Sequence, residues 1–206
     1  MKIKSLFVAA FSLLALVQVA CAESATPGAP NKYKEGADYT VIEGTKGIDK
    51  PQVIEFFSYT CPHCYNMEGF LHKWEPKKPE SIEFVRVPVF LPQVPHLTQG
   101  YYTAEVLGVL DPVHMEIFHQ WHRDKKIVRT KKDLLPIFEK AGITAEAFEK
   151  AYNSFAVASK VQNAKKMVRE FKVTSFPKLV VNQKYQVKNY QQLDKLLTEL
   201  PLEKAK

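Results

Sequence analysis

Apolar residues follow two different rhythms along this chain. Near both ends they form short continuous or alternating runs, which indicate β-strands, and in the middle they recur every three or four residues, which indicates helices. The predicted strands cover residues 39–42, 52–58, 82–89, 179–181 and 185–187. The run at 52–58 is almost wholly apolar, as expected for a central strand that is covered on both faces.

Helices are predicted at 62–74, before a proline, and at 193–200, where leucines lie on one face. From Leu91 to about Phe171 helical spacing dominates. Four apolar groups recur there, at 113–121 after an Asp-Pro start, at 134–138 after Asp133, at 147–152 after a Thr144 cap, and at 157–171.

The strands on either side of this helical stretch would make incomplete sheets if they folded alone. We therefore predict one α/β domain built from residues 38–91 and 172–206, with residues 92–171 as a helical insertion. Residues 23–37 are predicted to be a flexible leader.

The first 22 residues are predicted to be a signal peptide. Lys2 and Lys4 precede an apolar stretch, and the small residues around Cys21 suit cleavage before Glu23. A membrane anchor is the alternative, but the apolar run is shorter than the ~20 residues that a spanning helix needs. A second alternative is lipidation at Cys21, although the preceding residues fit a lipoprotein signal poorly.

Composition narrows the class of protein. Of the 206 residues, 46% are hydrophobic, which excludes wholesale disorder. Signal cleavage would remove two of the 29 basic residues and none of the 22 acidic ones, which leaves a net charge of +5. No basic stripe is interleaved with aromatic residues, so we do not expect nucleic-acid binding. The mature chain keeps only Cys61 and Cys64, in an oxidising compartment.

These two cysteines form the motif Cys61-Pro62-His63-Cys64, which follows the most apolar strand and opens a helix. At a helix N-terminus the free N–H groups and the helix dipole stabilise a thiolate at Cys61. Pro62 suits the first helical turn, and His63 can add positive charge or a hydrogen bond. A stabilised thiolate makes the disulfide easier to reduce and therefore a stronger oxidant.

Three other interpretations of this motif remain open. A structural disulfide is one, although so short a loop constrains the unfolded chain little. A zinc site would need further ligands, and the remaining histidines lack a suitable spacing. The third is a redox pair in a binding protein without catalytic function. His114, His119 and His122 also suggest a metal, but we expect surface or core histidines there.

Two carboxylates lie close to the motif in the sequence. Glu55 interrupts the apolar strand, so it is either solvent-facing or a partly buried acid with a raised pKa that exchanges protons with Cys64. Glu68 lies on the same helix face as Cys64 and is a weaker candidate, with a solvated position as the alternative.

Phe176-Pro177 precedes the strand at 179–181. A cis bond there would turn the chain sharply and leave backbone groups free to pair with an extended substrate. An ordinary trans proline at the start of a strand is the alternative.

The sequence resembles the DsbA family of periplasmic thiol–disulfide oxidoreductases. The resemblance is strongest over residues 52–65, with sequence QVIEFFSYTCPHCY, and continues at Tyr152-Asn153-Ser154-Phe155 and at residues 181–185. It spans essentially the whole mature chain. The CPHC motif with the preceding Glu-Phe-Phe run is specific, whereas the helical stretch alone would not be.

The resemblance implies a thioredoxin fold with an inserted helical domain. It implies that Cys61 is the attacked cysteine and Cys64 its buried partner, that Glu55 and Glu68 are acidic residues near the active site, and that Pro177 is a cis-proline. It also implies reoxidation by a quinone-linked inner-membrane protein of the DsbB type. One departure is Phe176, where the family usually has a small or β-branched residue facing the disulfide.

We therefore expect a periplasmic dithiol oxidase that acts on reduced or unfolded exported proteins. Its redox-active disulfide replaces any bound cofactor, and we expect a monomer. A disulfide isomerase or reductase is one alternative. Isomerases of this superfamily usually carry a dimerisation domain, and the predicted leader is too short for one, which disfavours this alternative. A chaperone-like binding module with an incidental disulfide is the other.

Overall fold

The computed structural model describes residues 33–45 and 48–202. The five strands are β1 (Tyr39–Val41), β2 (Gln52–Phe57), β3 (Glu83–Pro88), β4 (Lys178–Val181) and β5 (Tyr185–Val187). The helices are α1 (Pro62–Trp74), α2 (Pro95–Val106), α3 (Leu110–Phe118), α4 (Lys131–Lys140), α5 (Ala145–Tyr152), α6 (Phe155–Glu170) and α7 (Leu193–Glu199).

All five strands form one sheet in the order β1-β5-β4-β2-β3. The apolar strand β2 lies parallel to β3 and antiparallel to β4, and all six of its residues are buried, as its sequence predicts. Because β4 follows the helices α2–α6 in the chain, the sheet joins strands from both ends of the sequence. This confirms the predicted α/β fold.

Successive side chains of β2 point to opposite faces of the sheet. Ile54 and Phe56 belong to the larger core, which also takes in buried residues of α2 to α6. Val53 belongs to the smaller core, with residues of α1 and α7. Glu55 has the same parity as Val53, so the sheet directs it to the side on which α1 packs. Tyr33 is buried in the smaller core, so packed structure extends into the range predicted as a leader.

Several helix boundaries follow local signals. The bounds of α1 are those predicted, and the Thr144 side chain accepts the Ala147 N–H at the start of α5. The helix α3 begins at Leu110, so the predicted cap Asp111 lies inside the first turn instead. The helix therefore starts two residues before the predicted Pro112, and Leu110 packs against the larger core.

The predicted signal peptide, its cleavage site and Cys21 lie outside the described residues. Among the residues that are described, no helix has the length and apolar character needed to cross a bilayer.

Candidate active site

Cys61 lies at the N-terminal start of the helix that the CPHC motif opens. It occupies the N-cap position of α1, and its Sγ accepts the backbone N–H of Cys64 at 3.4 Å. Pro62 is in the first turn, where its missing N–H costs nothing. Both Pro62 and His63 are exposed. The N–H donor and the helix dipole both favour negative charge on Cys61 Sγ.

Cys64 lies in a different environment. It is fully buried, whereas Cys61 is 9% exposed, and the structure has both as free thiols. Burial raises the pKa of the Cys64 thiol strongly; a hydrogen bond from the Ser58 N–H to its Sγ at 3.5 Å opposes this only in part. The two sulfurs are therefore unequal: Cys61 Sγ accepts a helix N–H and keeps a small exposure, whereas Cys64 is fully shielded and holds its proton.

The loop before β4 forms the wall opposite Cys61. The Phe176-Pro177 bond is cis, as the family resemblance implies, so the trans alternative is wrong. The Cys61 thiol donates a hydrogen bond to the Phe176 carbonyl oxygen, with 3.6 Å between Sγ and O. Phe176 itself is half-buried and packs against the larger core. An extended chain bound at Cys61 would therefore meet this loop first.

Glu55 is fully buried at the centre of β2, which rules out the solvent-facing position. Within the described part of the chain, neither of its carboxylate oxygens has a hydrogen-bond partner. Arg86 Nε is 3.5 Å from Glu55 Oε2, close enough for an ion pair but without hydrogen-bond geometry. Burial, and then the charge of Glu68, raise the pKa of Glu55 well above its ordinary value despite Arg86. Glu55 therefore holds a proton when an exposed glutamate would not.

Glu68 is buried too, so its solvated alternative is also wrong. Its Oε1 lies 3.1 Å from His114 Nε2, and its Oε2 accepts Arg86 Nη2 at 3.4 Å. Burial acts to raise the pKa of Glu68, but these two partners outweigh it and hold that pKa below the usual range. The carboxylate of Glu68 therefore stays charged, in contrast to that of Glu55.

Two residues to which the sequence analysis gave no role at this site complete the set. Arg86 of β3 faces Glu55 in the parallel register and also donates to Glu75 at 2.8 Å. Its signal was a positive charge among the apolar residues Phe84, Val85 and Val87 of β3. His114 lies on the apolar face of α3, and it is a core histidine, one of the two positions expected for it. His122 lies elsewhere, stacked on Tyr65 with ring centroids 5.0 Å apart.

A sheet whose buried central strand leads into a helix opened by Cys-x-x-Cys, with a cis-proline loop against the first cysteine, defines a thiol:disulfide oxidoreductase of thioredoxin type. Comparison with known proteins narrows this class. Residues 95–201 match the family model of the DSBA-like thioredoxin domain, and the chain belongs to that family. Proteins of the DsbA family work through their own cysteine pair, without a cofactor.

Named relatives cover most of the chain. The DsbA of Pseudomonas aeruginosa is 32% identical over 157 residues, 74% of each chain. The DsbA of Pectobacterium carotovorum is 35% identical over 180 residues, 85% of this chain and 84% of its own. A crystal structure of Pseudomonas aeruginosa DsbA superposes with a TM-score of 0.73 at 30% identity, covering 82% of this chain and 92% of its own. The relatives are periplasmic proteins, which implies that this chain is exported.

Proposed function

We propose that this protein donates a Cys61–Cys64 disulfide to reduced proteins after their export. One observation carries the proposal: Cys61 Sγ accepts a helix N–H and keeps 9% exposure, whereas Cys64 is fully buried and its pKa is raised. An arrangement that favours the reduced state with a thiolate at Cys61 makes the disulfide oxidising.

The proposed cycle begins when a substrate thiolate attacks Cys61 Sγ of the oxidised protein. The Cys61–Cys64 bond breaks, a mixed disulfide forms between the substrate and Cys61, and Cys64 leaves with the electron pair. A second substrate thiolate then attacks the substrate sulfur and releases Cys61 as a thiolate. The substrate has lost two electrons and the protein has gained them. The stability of the Cys61 thiolate makes it a good leaving group and favours this direction.

Glu55 has a role in the first of these steps. Cys64 becomes a leaving group in a buried place where its thiolate is disfavoured. Glu55 is directed to the side of β2 on which α1, the helix of Cys64, packs. Its raised pKa lets it retain a proton, and once ionised its charge raises the pKa of Cys64. We assign Glu55 the transfer of a proton to Cys64 as the disulfide opens.

The exposed face around Cys61 has the chemistry for binding unfolded chains. Pro62 and His63 are open to solvent beside it, and Phe176 and Pro177 form the opposite wall. A substrate segment in extended conformation would run along this wall, with Phe176 in place of the smaller side chain usual in the family. Glu68 contributes through its charge and does not contact the substrate.

The proposal extends to the cellular cycle. The reduced protein returns its two electrons to an acceptor, and we assign this to a quinone-linked inner-membrane protein of the DsbB type. We also propose that residues 1–22 are a signal peptide removed before Glu23, that residues 92–171 are a helical insertion in the thioredoxin-like domain, and that the mature protein acts as a monomer.

The test is oxidative refolding of a reduced client protein with stoichiometric oxidised enzyme. The wild type should form the client disulfide, whereas Cys61→Ser and Cys64→Ser, neither of which can hold the Cys61–Cys64 disulfide, should form none. Full native yield with Cys61→Ser would overturn the proposal in favour of a binding module. Rescue of a scrambled client faster than oxidation of a reduced one would overturn it in favour of an isomerase.

A further inference from the structure

Tyr59 connects the active-site loop to the helices of the chain. It lies two residues before Cys61 and is buried, and its hydroxyl is 2.8 Å from His114 Nδ1. Burial raises the pKa of Tyr59 well above its usual value, so the phenol keeps its proton. Tyr59 therefore donates, and His114 Nδ1 accepts.

This direction fixes the state of the imidazole. With Nδ1 as acceptor, the proton of a neutral His114 is on Nε2, which faces Glu68 Oε1 at 3.1 Å. Burial lowers the pKa of His114 despite its contact with Glu68, so the ring is neutral. The carboxylate of Glu68 is charged and accepts. One tautomer thus satisfies both neighbours, and the chain of donors runs from Tyr59 through His114 to Glu68.

Glu68 in turn acts on Glu55. Its negative charge is, after burial, the largest cause of the raised pKa of Glu55. Arg86 lies against both carboxylates, at 3.5 Å from Glu55 and 3.4 Å from Glu68. A change in the position or charge of Glu68 therefore changes how strongly Glu55 holds its proton.

A cavity of about 230 Å³ adjoins this set of residues. It is lined by Glu68, Arg86 and His114 on the inside and by exposed His72 and Asp111 nearer its rim. Since the carboxylate of Glu68 borders a space large enough for water, hydrogen bonds from protein groups are needed to hold it in one place. His114 supplies one of them, and Arg86 supplies another.

We propose that His114 is a positioning residue of the oxidase site: by donating from Nε2 it fixes the charged Glu68 beside Arg86, and through Glu68 it keeps Glu55 protonated for Cys64. The inference rests on the proposed role of Glu55 in the oxidase cycle. The link from the helices to the disulfide is electrostatic and requires no contact between His114 and the sulfurs.

The charged and titratable groups around this set come from every element packed against it. They are Glu68, Cys64 and His72 of α1, Glu75 directly after α1, Tyr59 in the preceding loop, Arg86 of β3, Tyr101 of α2 and Asp111 of α3. Arg86 opposes the rise in the pKa of Glu55, whereas Glu68 and Glu75 support it.

Two variants separate the two hydrogen bonds of His114. His114→Asn can place its carbonyl oxygen near the position of Nδ1 and accept from Tyr59, but it is too short to donate to Glu68. His114→Gln can place its amide nitrogen near the position of Nε2 and keep that donor. The readout is the infrared carbonyl band of the protonated Glu55 carboxyl, assigned by its loss in Glu55→Gln and followed as a function of pH.

We expect the titration midpoint of Glu55 to fall by about one pH unit in His114→Asn, because the charge that raises it is no longer held in place. It should stay within a few tenths of a unit of the wild type in His114→Gln. His96→Asn is the matched control: His96 is also a buried histidine with a hydrogen bond, at 2.9 Å from the Val128 carbonyl. It should lose stability without moving the midpoint.

An unchanged midpoint in folded His114→Asn would overturn the inference, as would an equal shift in all three variants. The rate of client oxidation distinguishes this from failure of the proposed function. If the midpoint moves in His114→Asn but the rate keeps its pH dependence in both that variant and Glu55→Gln, then His114 positions Glu68 as inferred and the catalytic role of Glu55 is wrong.

Discussion

Glu55 and Glu68 lie beside the same arginine, yet their surroundings shift their pKa values in opposite directions. Glu55 is buried without a hydrogen-bond donor among the residues described, and it faces the charge of Glu68. Glu68 is nearly as buried but has donors at both oxygens. Residue type does not decide which acid holds a proton at neutral pH; the number and direction of donors do.

Replacing Glu55 with Gln tests this at the residue scale. Because the folded-state pKa of Glu55 is raised, its stability contribution is present below the unfolded pKa of about 4.3 and is lost as pH rises through the folded pKa. Glutamine cannot ionise, so Glu55→Gln does not lose stability as the pH rises. We expect the stability of the variant relative to the wild type to increase with pH across this window, by at most about 1.4 kcal/mol per unit. Urea unfolding of both proteins at a series of pH values measures this difference in stability. A difference that does not change with pH would contradict the prediction.

Replacing Glu68 with Gln should have the opposite pH dependence. Its pKa is lowered, so its contribution is present above the unfolded pKa and disappears as pH falls through the folded pKa. We expect Glu68→Gln to lose about 1–3 kcal/mol at pH 7, because charge-assisted hydrogen bonds are weakened. The loss should shrink towards acid pH in the same unfolding series. A loss of equal size at all pH values would indicate a packing defect instead.

At the scale of single elements, local sequence accounts for most boundaries. The Thr144 and Ser154 side chains accept N–H groups at the starts of α5 and α6, and Asp133 accepts the Thr130 N–H before α4. Pro136 lies inside α4, because the helix starts at Lys131 and not near Asp133, so its missing N–H leaves α4 one i→i−4 hydrogen bond short. The turn between β4 and β5 uses Asn182 and Gln183, both with positive φ.

Two helical glycines allow a matched test of packing against propensity. A Cβ added at Gly69, in α1, would meet no atom within 4 Å, whereas one at Gly100, in α2, would lie 2.9 Å from Leu134 Cδ1. We expect Gly69→Ala to stabilise the protein by about 0.5–1 kcal/mol. Gly100→Ala should destabilise it by about 1–3 kcal/mol, because Leu134 is fully buried and cannot move aside.

Urea unfolding of the two glycine variants at a single pH compares them directly. Equal and favourable changes in the free energy of unfolding would show that α2 can shift away from α4, so that helix propensity outweighs the contact.

At the scale of the whole molecule, the sheet brings the two ends of the chain to one site. Strand β4 pairs with β2, and the loop before it places the Phe176 carbonyl beside Cys61, 115 positions away in the chain. Strand β3 brings Arg86 to Glu55, and α3 brings His114 to Glu68. Groups from distant elements thus surround the thiol pair in addition to the local backbone donors, so the stability of the fold and the redox state of the pair are linked.

This linkage predicts that the reduced protein has the higher melting temperature. In the proposed oxidase, the helix N-terminus favours negative charge at Cys61 only in the folded protein, so breaking the disulfide should make the fold more stable. A difference of about 2 kcal/mol would correspond to roughly 4–8 °C for a domain of this size. Calorimetry of both forms at pH 7 measures the difference. A Cys61→Ser, Cys64→Ser double variant should melt at one temperature under both conditions, and an oxidised form more stable than the reduced one would contradict the oxidase.

The sequence by itself determined what depends on neighbouring residues. Alternation and helical spacing located the strands and most helices, and the CPHC motif after an apolar strand placed Cys61 at a helix start, because caps and periodicity act over a few positions. Only the tertiary structure decided the electrostatics. Glu68 was compatible with a solvated surface until Arg86 and His114 enclosed it, and His114 had no assigned partner. Burial and long-range pairing set a charge's energy, and both depend on which distant elements pack together.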